Sequence, residues 1–388
     1  VVFSGGQGTG QLAGIRKPGE RNYDNSFIYV GTGNKYTNGG SGASYGASLS
    51  NGDIIGTAFD ADNGTLTFYK NGVSQGQAFS GISGAYSFIA GSFGSTPAYI
   101  VNFGQRPFAY AAPSGFKALC TTNLPTPTIA DGSDYFDTTL YTGNGANSRT
   151  ISGLGFSPDF LWVKDRGNTA GDFSNRLMDA VRGAGIALST NSTAAERDNS
   201  AQSGGGVETF TSDGFTIEQG TSNNNNQNNN NSAYVAWAWD AGSSTASNTN
   251  GSITSQVRAS QTAGISILTY TGDGSGTDTI GHGLADAPSL VITKSRGTTG
   301  SWRVFTDVGG TWKIGNLNNN DAFVNAGVSA PTSSVFSVDG NSNASTTHIA
   351  YCFAPVAGYS AIGQFTGNTT ITPFVHTGFA VQWLLIKG

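Results

Sequence analysis

The sequence predicts an all-β chain built of tandem β-sandwich modules, and three observations lead there. Short runs of β-branched and aromatic residues alternate with Gly- and Asn-rich breaks, the rhythm of strands separated by tight turns. Charged residues make up 11% of the 388, where about 25% is usual, and glycine alone accounts for 57. The stretch Phe160-Leu-Trp-Val-Lys-Asp-Arg166 recurs as Leu290-Val-Ile-Thr-Lys-Ser-Arg296 and again as Trp383-Leu-Leu-Ile-Lys387, so the chain contains a repeat.

Length and charge narrow the function classes. A chain of 388 residues has room for two to four domains of roughly 100–150 residues each. Its net charge of −5 includes only 19 basic residues, which supply no stripe to follow a phosphate backbone, so nucleic acid is not an expected partner. No window of about 18 apolar residues occurs, and no membrane insertion is expected. Cys120 and Cys352 fall in different modules and match no metal spacing, so neither a disulfide framework nor a metal site is expected. Val1-Val-Phe-Ser carries no charged leader and reads as the interior of a longer protein.

The first module is placed at residues 1–117. Strands are expected at Phe27–Val30, Asp53–Phe59, Thr65–Tyr69, Tyr86–Ala90 and Ala98–Phe103, with hairpin turns at Asp62-Asn-Gly64 and Asn71-Gly72. Asp60-x-Asp62-x-Gly64 has the alternating carboxylates of a calcium loop but lacks the remaining ligands, so a hairpin turn is the expected reading. Gly52-Asp-Ile-Ile-Gly56, Phe59-Asp-Ala-Asp-Asn-Gly-Thr-Leu-Thr-Phe-Tyr-Lys-Asn-Gly72 and Val101-Asn-Phe-Gly104 resemble the SPRY family over about residues 10–117. That resemblance implies a concanavalin- or jelly-roll-like sandwich that binds through its loops without catalysis. It also implies that the strands usually opening such a domain are missing, leaving the module incomplete at its N-terminus.

Pro113-Ser-Gly115 and Leu124-Pro-Thr-Pro127 interrupt the strand rhythm, so a semi-stiff linker is expected at 118–134. Repeat 1 is placed at 135–242, a Ser/Thr/Asn-rich linker at 243–263, repeat 2 at 264–358, and the start of a truncated repeat 3 at 359–388. The first two copies align with Tyr141 and Tyr270 separated by 129 positions and Lys164 and Lys294 by 130. The separation falls to 126 at Phe210/Phe336 and Asp213/Asp339 and to 114 at Ala236/Ala350. Most of the difference is the tract Asn223–Asn231, expected as a solvated loop tip, with a sugar-binding fringe as the alternative.

In Tyr234-Val-Ala-Trp-Ala-Trp239 the period of two puts both tryptophans on one face. The second copy carries Tyr351 and Phe353 there; retention of bulk without the indole points to packing rather than sugar stacking. One helix is expected, at Ser174–Arg182, stopped by Gly183. Lys164 with Arg166, and Lys294 with Arg296, form basic pairs expected as solvated strand faces, with contact to a sulfate, phosphate or uronate as the alternative. Gly155-Phe-Ser-Pro-Asp-Phe-Leu-Trp-Val-Lys164, Leu188-Ser-Thr-Asn-Ser-Thr193, Ser212-Asp-Gly-Phe-Thr216, Gly281-His-Gly-Leu284 and Tyr351-Cys-Phe-Ala354 resemble an uncharacterised repeat family of tailed, especially marine, bacteriophage structural proteins. The resemblance implies a virion location and carries over no active site.

His282, His348 and His376 have no metal-spaced partners, and no nucleophile or phosphate-loop motif is present. No catalytic residue and no cofactor is expected. The sequence therefore points to a virion structural protein assembled in the host cytoplasm. The leading expectation is a tail-fibre component that adheres to a host surface glycan or protein receptor and forms a homo-oligomer, a trimer by analogy with symmetric shafts. The alternatives are a capsid decoration or fibre-base protein binding other virion proteins, a polysaccharide depolymerase, and a host-encoded surface adhesin.

Overall fold

Hairpin chemistry accounts for most of the architecture. In this computed structural model the described residues are 2–4, 11–17, 25–37, 40–92, 99–123, 127–167, 175–199, 205–219, 227–367, 375 and 377–387. They are nearly all β, with 3-10 turns at Thr121–Asn123 and Gly132–Asp134 and no α-helix. The chain divides into two compact units: Val1–Thr126 with Phe365–His376, and Pro127–Gln364 with Thr377–Gly388.

The first unit is a sandwich of two five-stranded antiparallel sheets. One runs Ile100–Asn102, Val2–Ser4, Ile54–Asp60, Thr65–Lys70, Val73–Phe79 in spatial order; the other runs Ala43–Ser44, Asn34–Thr37, Ser26–Val30, Gln11–Arg16, Ser87–Ser92. Alternation sends Ile55, Leu66 and Phe68 inward to meet Ile15 and Tyr29. Asn71 and Gly72, with φ of 49° and 80°, form the two-residue turn that closes Lys70 onto Val73, a geometry that needs positive φ twice. The strands Val2–Ser4 and Gln11–Arg16 supply one member to each sheet. Their short, glycine-flanked sequences gave no strand signal.

In the second unit, repeat 1 has a six-stranded sheet in the order Phe136–Thr142, Ala233–Trp239, Phe160–Asp165, Arg176–Asp179, Gly183–Ser189, Arg197–Asp198. Repeat 2 has the corresponding order Ile265–Thr271, Thr347–Phe353, Leu290–Ser295, Arg303–Asp307, Trp312–Asn316, Val324–Asn325. Each large sheet packs one face on a small sheet of its own. In repeat 1 the small sheet is Arg149–Ser152, Gly214–Gln219, Gly205–Thr211; in repeat 2 it is Asp278–Gly281 with Val335–Val338.

The other faces of the two large sheets pack against each other. Phe160, Trp162, Leu188 and Trp239 from repeat 1 share one core with Ile265, Ile267, Trp302 and Tyr351 from repeat 2. Phe160 meets the Tyr351 ring edge-on at 4.9 Å. The expected row of separate modules is thus replaced, for the repeats, by one four-layered body. Burial on both faces explains why Phe160–Val163 is apolar without alternation.

Several expectations are corrected. Residues 243–263 are not a linker: Ala246–Asn248 and Ser255–Ser260 extend the second large sheet to eight strands. The expected helix is absent over its described residues, where Arg176–Asp179 turns back into Gly183–Ser189; Ser174 lies outside them. Helix-like spacing at Leu177, Val181 and Arg182 came from a strand followed by a turn, in which the Asp179 carboxylate accepts from the amides of Val181 and Arg182. The third copy forms no strand among its described residues. Its Trp383 instead meets Trp239 at 5.3 Å and Trp162 at 6.2 Å at the margin of the shared core.

The match of Phe210 to Phe336 also fails: Ile280 pairs with Phe336, whereas Ile151, its counterpart, pairs with Phe215. Asp-Gly is a general turn signal, and in repeat 1 Asp213-Gly214 joins an extra strand that repeat 2 lacks. Of the linker segment at 124–127, only Pro127 is described.

The Trp302 side chain is fully buried in the shared core and its indole N–H donates to the Ser189 carbonyl of repeat 1 at 2.8 Å. Trp302→Ala should lower stability by about 3–5 kcal/mol. Calorimetry should show repeats 1 and 2 melting in a single transition in wild type; two separate transitions would contradict the shared core.

Candidate functional site

The repeated basic residues do not make two equivalent pairs. Lys164 is exposed and donates to Asn175 Oδ1 at 3.1 Å, and Arg166 is exposed just past the strand. Lys294, at the matching strand position, is 1% exposed and donates to the carbonyls of Ser295 at 2.7 Å and Thr298 at 3.3 Å. Burial pushes its pKa down to about 8. Arg296 is engaged by Glu196 of repeat 1 through two hydrogen bonds, Nε at 2.8 Å and Nη2 at 3.0 Å. Only Lys164 and Arg166 therefore present a basic surface.

Arg296 belongs to a polar seam between the repeats. Arg182, with a fully buried side chain, pairs with Asp179 at 2.6 Å and approaches Glu196 at 3.6 Å. Tyr351 of repeat 2 donates to the same Asp179 oxygen at 2.7 Å and accepts from Arg182 at 3.2 Å. Burial alone would lower the Arg182 pKa, but the Asp179 carboxylate, with the Tyr351 oxygen and Glu196, holds it above the ordinary value. Close by, Arg258 pairs with Asp159 at 2.7 Å, and the Asp159 carbonyl accepts from the Ala180 amide, next to Asp179, at 2.8 Å. Burial raises Asp159 to about 6, against the lowering effects of Arg258 and the Ala241 amide. These groups fasten two modules, with Asp179 and Arg182 fully buried and Glu196, Arg258 and Arg296 partly exposed.

A second motif was only half visible. In each repeat the Tyr-Thr-Gly turn is plugged by an asparagine: Tyr141 Oη donates to the Gln227 carbonyl at 2.9 Å, and Tyr270 Oη to the Ser342 carbonyl at 2.6 Å. Asn228 bonds the Asn144 amide and the Ala146 carbonyl; Asn343 bonds the Asp273 amide and the Asp273 and Asp278 carboxylates. A Cβ on Gly143 or Gly272 would overlap the carbonyl of Asn229 or Ala344, so only glycine fits. Gln227 and Asn228 are buried, which corrects the expectation of a solvated tip for that part of the Asn tract; residues 223–226 lie outside the described residues.

His282 and His348 are both engaged in local contacts. His282 accepts the Leu284 N–H on Nδ1 at 3.1 Å and therefore places its proton on Nε2, 3.1 Å from the Thr332 carbonyl. His348 stacks on Tyr270 at 5.1 Å. Burial lowers the pKa of both rings. His376 lies outside the described residues. Glu208 is raised by its hydrogen bond to Glu218, then by burial. Two carboxyls bonded to each other leave no room between them for a scissile glycosidic bond.

The surface best arranged for contact is in the first unit. There the loop 40–53 runs with Ser41, Ser44, Ser48, Ser50 and Asn51 exposed. It is fixed from beneath: Tyr45 and Leu49 amides bond the Gly33 and Gly31 carbonyls at 3.1 and 2.8 Å, and Gln75 Oε1 accepts the Ala47 N–H at 2.9 Å. Tyr29 and Tyr45 hydroxyls donate to Ala47 and Gly76 carbonyls. Lys70 pairs with Asp53 at 3.0 Å, and Asn71 Nδ2 donates to the other Asp53 oxygen at 2.7 Å. Burial would raise Asp53, but bonds from the Ser50 amide, Lys70 and Asn71 bring it below the usual carboxylate value. Asp60, whose carboxylate accepts from the side chain and amide of Asn63 and from the Asp62 amide, is engaged as a turn residue. An ordered loop rich in hydroxyls and amides can bind a polar ligand with little ordering cost.

Two outcomes follow for the seam and the rings. Asp179→Ala leaves Arg182 buried without its partner and should cost about 3–5 kcal/mol, while Lys164→Ala, on the surface, should change stability by at most about 0.5 kcal/mol; denaturant unfolding measures both. A histidine with a depressed folded pKa stabilises fully above its unfolded value near 6.5 and loses that contribution as pH falls. Asp159, raised to about 6, acts oppositely, adding stability as pH falls from about 6 toward 4. Wild type should therefore lose stability relative to His282→Gln between pH 7 and 5, read from denaturant midpoints.

Comparison with known proteins agrees with this division. Residues 7–106 match the SPRY domain model. A dual specificity protein kinase, splA, of Dictyostelium discoideum is 36% identical over 91 residues, which cover 23% of this chain and 4% of that protein. The chain thus spans a very small part of that relative. The two repeats and the C-terminal segment together match a single model, described as a domain of unknown function, over residues 131–388. With two thirds of its length in that match, the chain belongs to the DUF7483 family.

Proposed function

We propose that this protein is a non-catalytic contact protein in which the SPRY unit engages a ligand and the doubled repeat serves as a stiff structural body. The observation that carries the reading is the loop 40–53, pinned by Tyr29, Tyr45, Gln75 and the Lys70–Asp53–Asn71 cluster while its hydroxyl and amide side chains remain exposed. A preformed polar surface suits a polyhydroxyl or peptide ligand. The shared core of the repeats supports the structural half of the proposal, since a module buried on both faces of its main sheet resists bending.

The setting we propose is a virus particle, as a tail-fibre or related appendage component that recognises a host surface glycan; this rests on the resemblance of the repeats to phage structural proteins. Homo-oligomerisation would multiply weak contacts.

A bacterial-surface glycan array probed with the purified chain should show saturable binding that Ser48→Trp and Asn51→Trp abolish without changing the far-ultraviolet spectrum. Binding that survives both substitutions would remove the loop from the proposal. Release of new reducing ends during the same incubation would replace contact with cleavage.

A further inference from the structure

The first unit holds a cavity of about 350 Å³ on the outer face of one sheet. Its floor comes from Ile54, Gly56 and Ala58 on one strand and Tyr69 on the next. Ile55 between them points the other way, into the sandwich core. The roof is residues 108–119, which follow the last strand and lie over this face, with Phe108 and Phe116 among its lining side chains. The roof falls between the segments matched by the two family models.

Small residues oppose small residues here. Gly56, Ala58 and Gly72 meet a roof containing Ala111, Ala112 and Ala118, so the two layers cannot close. Gly72 has no room for a side chain because the Tyr110 ring sits against it. Close-packed proteins leave few voids larger than a water molecule, and an apolar void forfeits contacts on all its walls. At roughly 30 Å³ per water-sized group, this one has room for about a dozen such groups. It falls in the range of small-molecule sites, roughly 300–1,000 Å³.

The lining also sets the ligand chemistry. It is predominantly aliphatic and aromatic, and Lys117 is the one charged residue among the described lining residues. Leu119, half exposed, and Tyr110 lie at the open side. Among the described lining residues, Thr57, Tyr69, Tyr110, Lys117 and Asn123 carry the hydrogen-bonding side chains and the majority are apolar; one cation beside an apolar space suits a single anionic head on a hydrocarbon body.

We propose that this cavity binds an amphiphilic carboxylate, its acyl chain between the Gly56–Ala58 floor and the roof and its head at Lys117. The site is separate from the loop 40–53, and its test does not depend on the contact function proposed above. Calorimetric titration of the full chain with sodium decanoate should give saturable one-to-one binding. Ala58→Leu, which fills the floor, should weaken it at least tenfold. Lys117→Gln should weaken decanoate three- to tenfold and leave 1-decanol unchanged. Leu119→Asp, at an exposed position and safe for folding, should weaken decanoate more than decanol. Absence of saturable decanoate binding to the folded wild type would overturn the proposal. So would undiminished binding in folded Ala58→Leu, equal losses for both probes in Lys117→Gln and Leu119→Asp, or binding of a hexose in place of decanoate.

Discussion

The structure of residues 127–364 depends on apolar contact between two large sheets, each of which must bury both of its faces. A sheet with one wet face would read as alternating apolar and polar residues. Phe160-Leu-Trp-Val163 and Leu290-Val-Ile-Thr293 do not alternate, because Leu161 and Val163 point to the small sheet of repeat 1 while Phe160 and Trp162 point to repeat 2. The arrangement has a polar cost, since backbone and charged groups caught at the margins need partners. Asp179, Arg182, Tyr351 and Glu196 form one such set and Asp159 with Arg258, beside it, another. A buried ion pair contributes little net stability over an apolar substitute, but it penalises any misaligned docking that leaves one charge alone. Its role here is to fix the register of the two repeats.

The repeats became asymmetric once they packed on one another. Trp237 and Trp239 occupy the same strand positions as Tyr351 and Phe353, yet only Tyr351 carries a hydroxyl that reaches the Asp179–Arg182 pair. Lys164 stays in solvent while Lys294 turns inward to carbonyls of its own turn. Arg166 is exposed while Arg296 reaches across to Glu196. Residues identical in sequence at equivalent positions therefore differ in burial and in partners, and similarity between copies is a guide to fold but not to surface chemistry.

That distinction separates what could be read in the sequence from what could not. The all-β class, the Asn71-Gly72 hairpin, the Asp60 turn and the pairing of copies at Tyr141/Tyr270 and Lys164/Lys294 are local or periodic signals, and they survive in three dimensions. The strands within 243–263 are hidden in the sequence because Ser and Thr there mimic linker composition, although Val257 sits in the core of repeat 2. The shared core escaped because periodicity reports that a face is buried and not what buries it. The paired tryptophans were legible as packing residues, but their partner was another module. The asparagine plug was legible in principle, since Asn228 and Asn343 stand at nearly the same distance before Ala236 and Ala350. A run of amides hid it.

The same physics bears on where ligand recognition can reside. A body stapled through its core has few low-energy rearrangements, so the doubled repeat is better suited to hold a position than to adapt to a ligand. The SPRY unit differs in both respects that matter. Its loop 40–53 is ordered yet lined with exposed hydroxyls and amides, and the outer face of its sheet is covered by residues 108–119 with space left between them. An apolar space of about 350 Å³ calls for a specific cause. Gly56 and Ala58 on the floor and the alanines of the roof leave that space. Small side chains on both walls make sense if something other than protein completes the packing there.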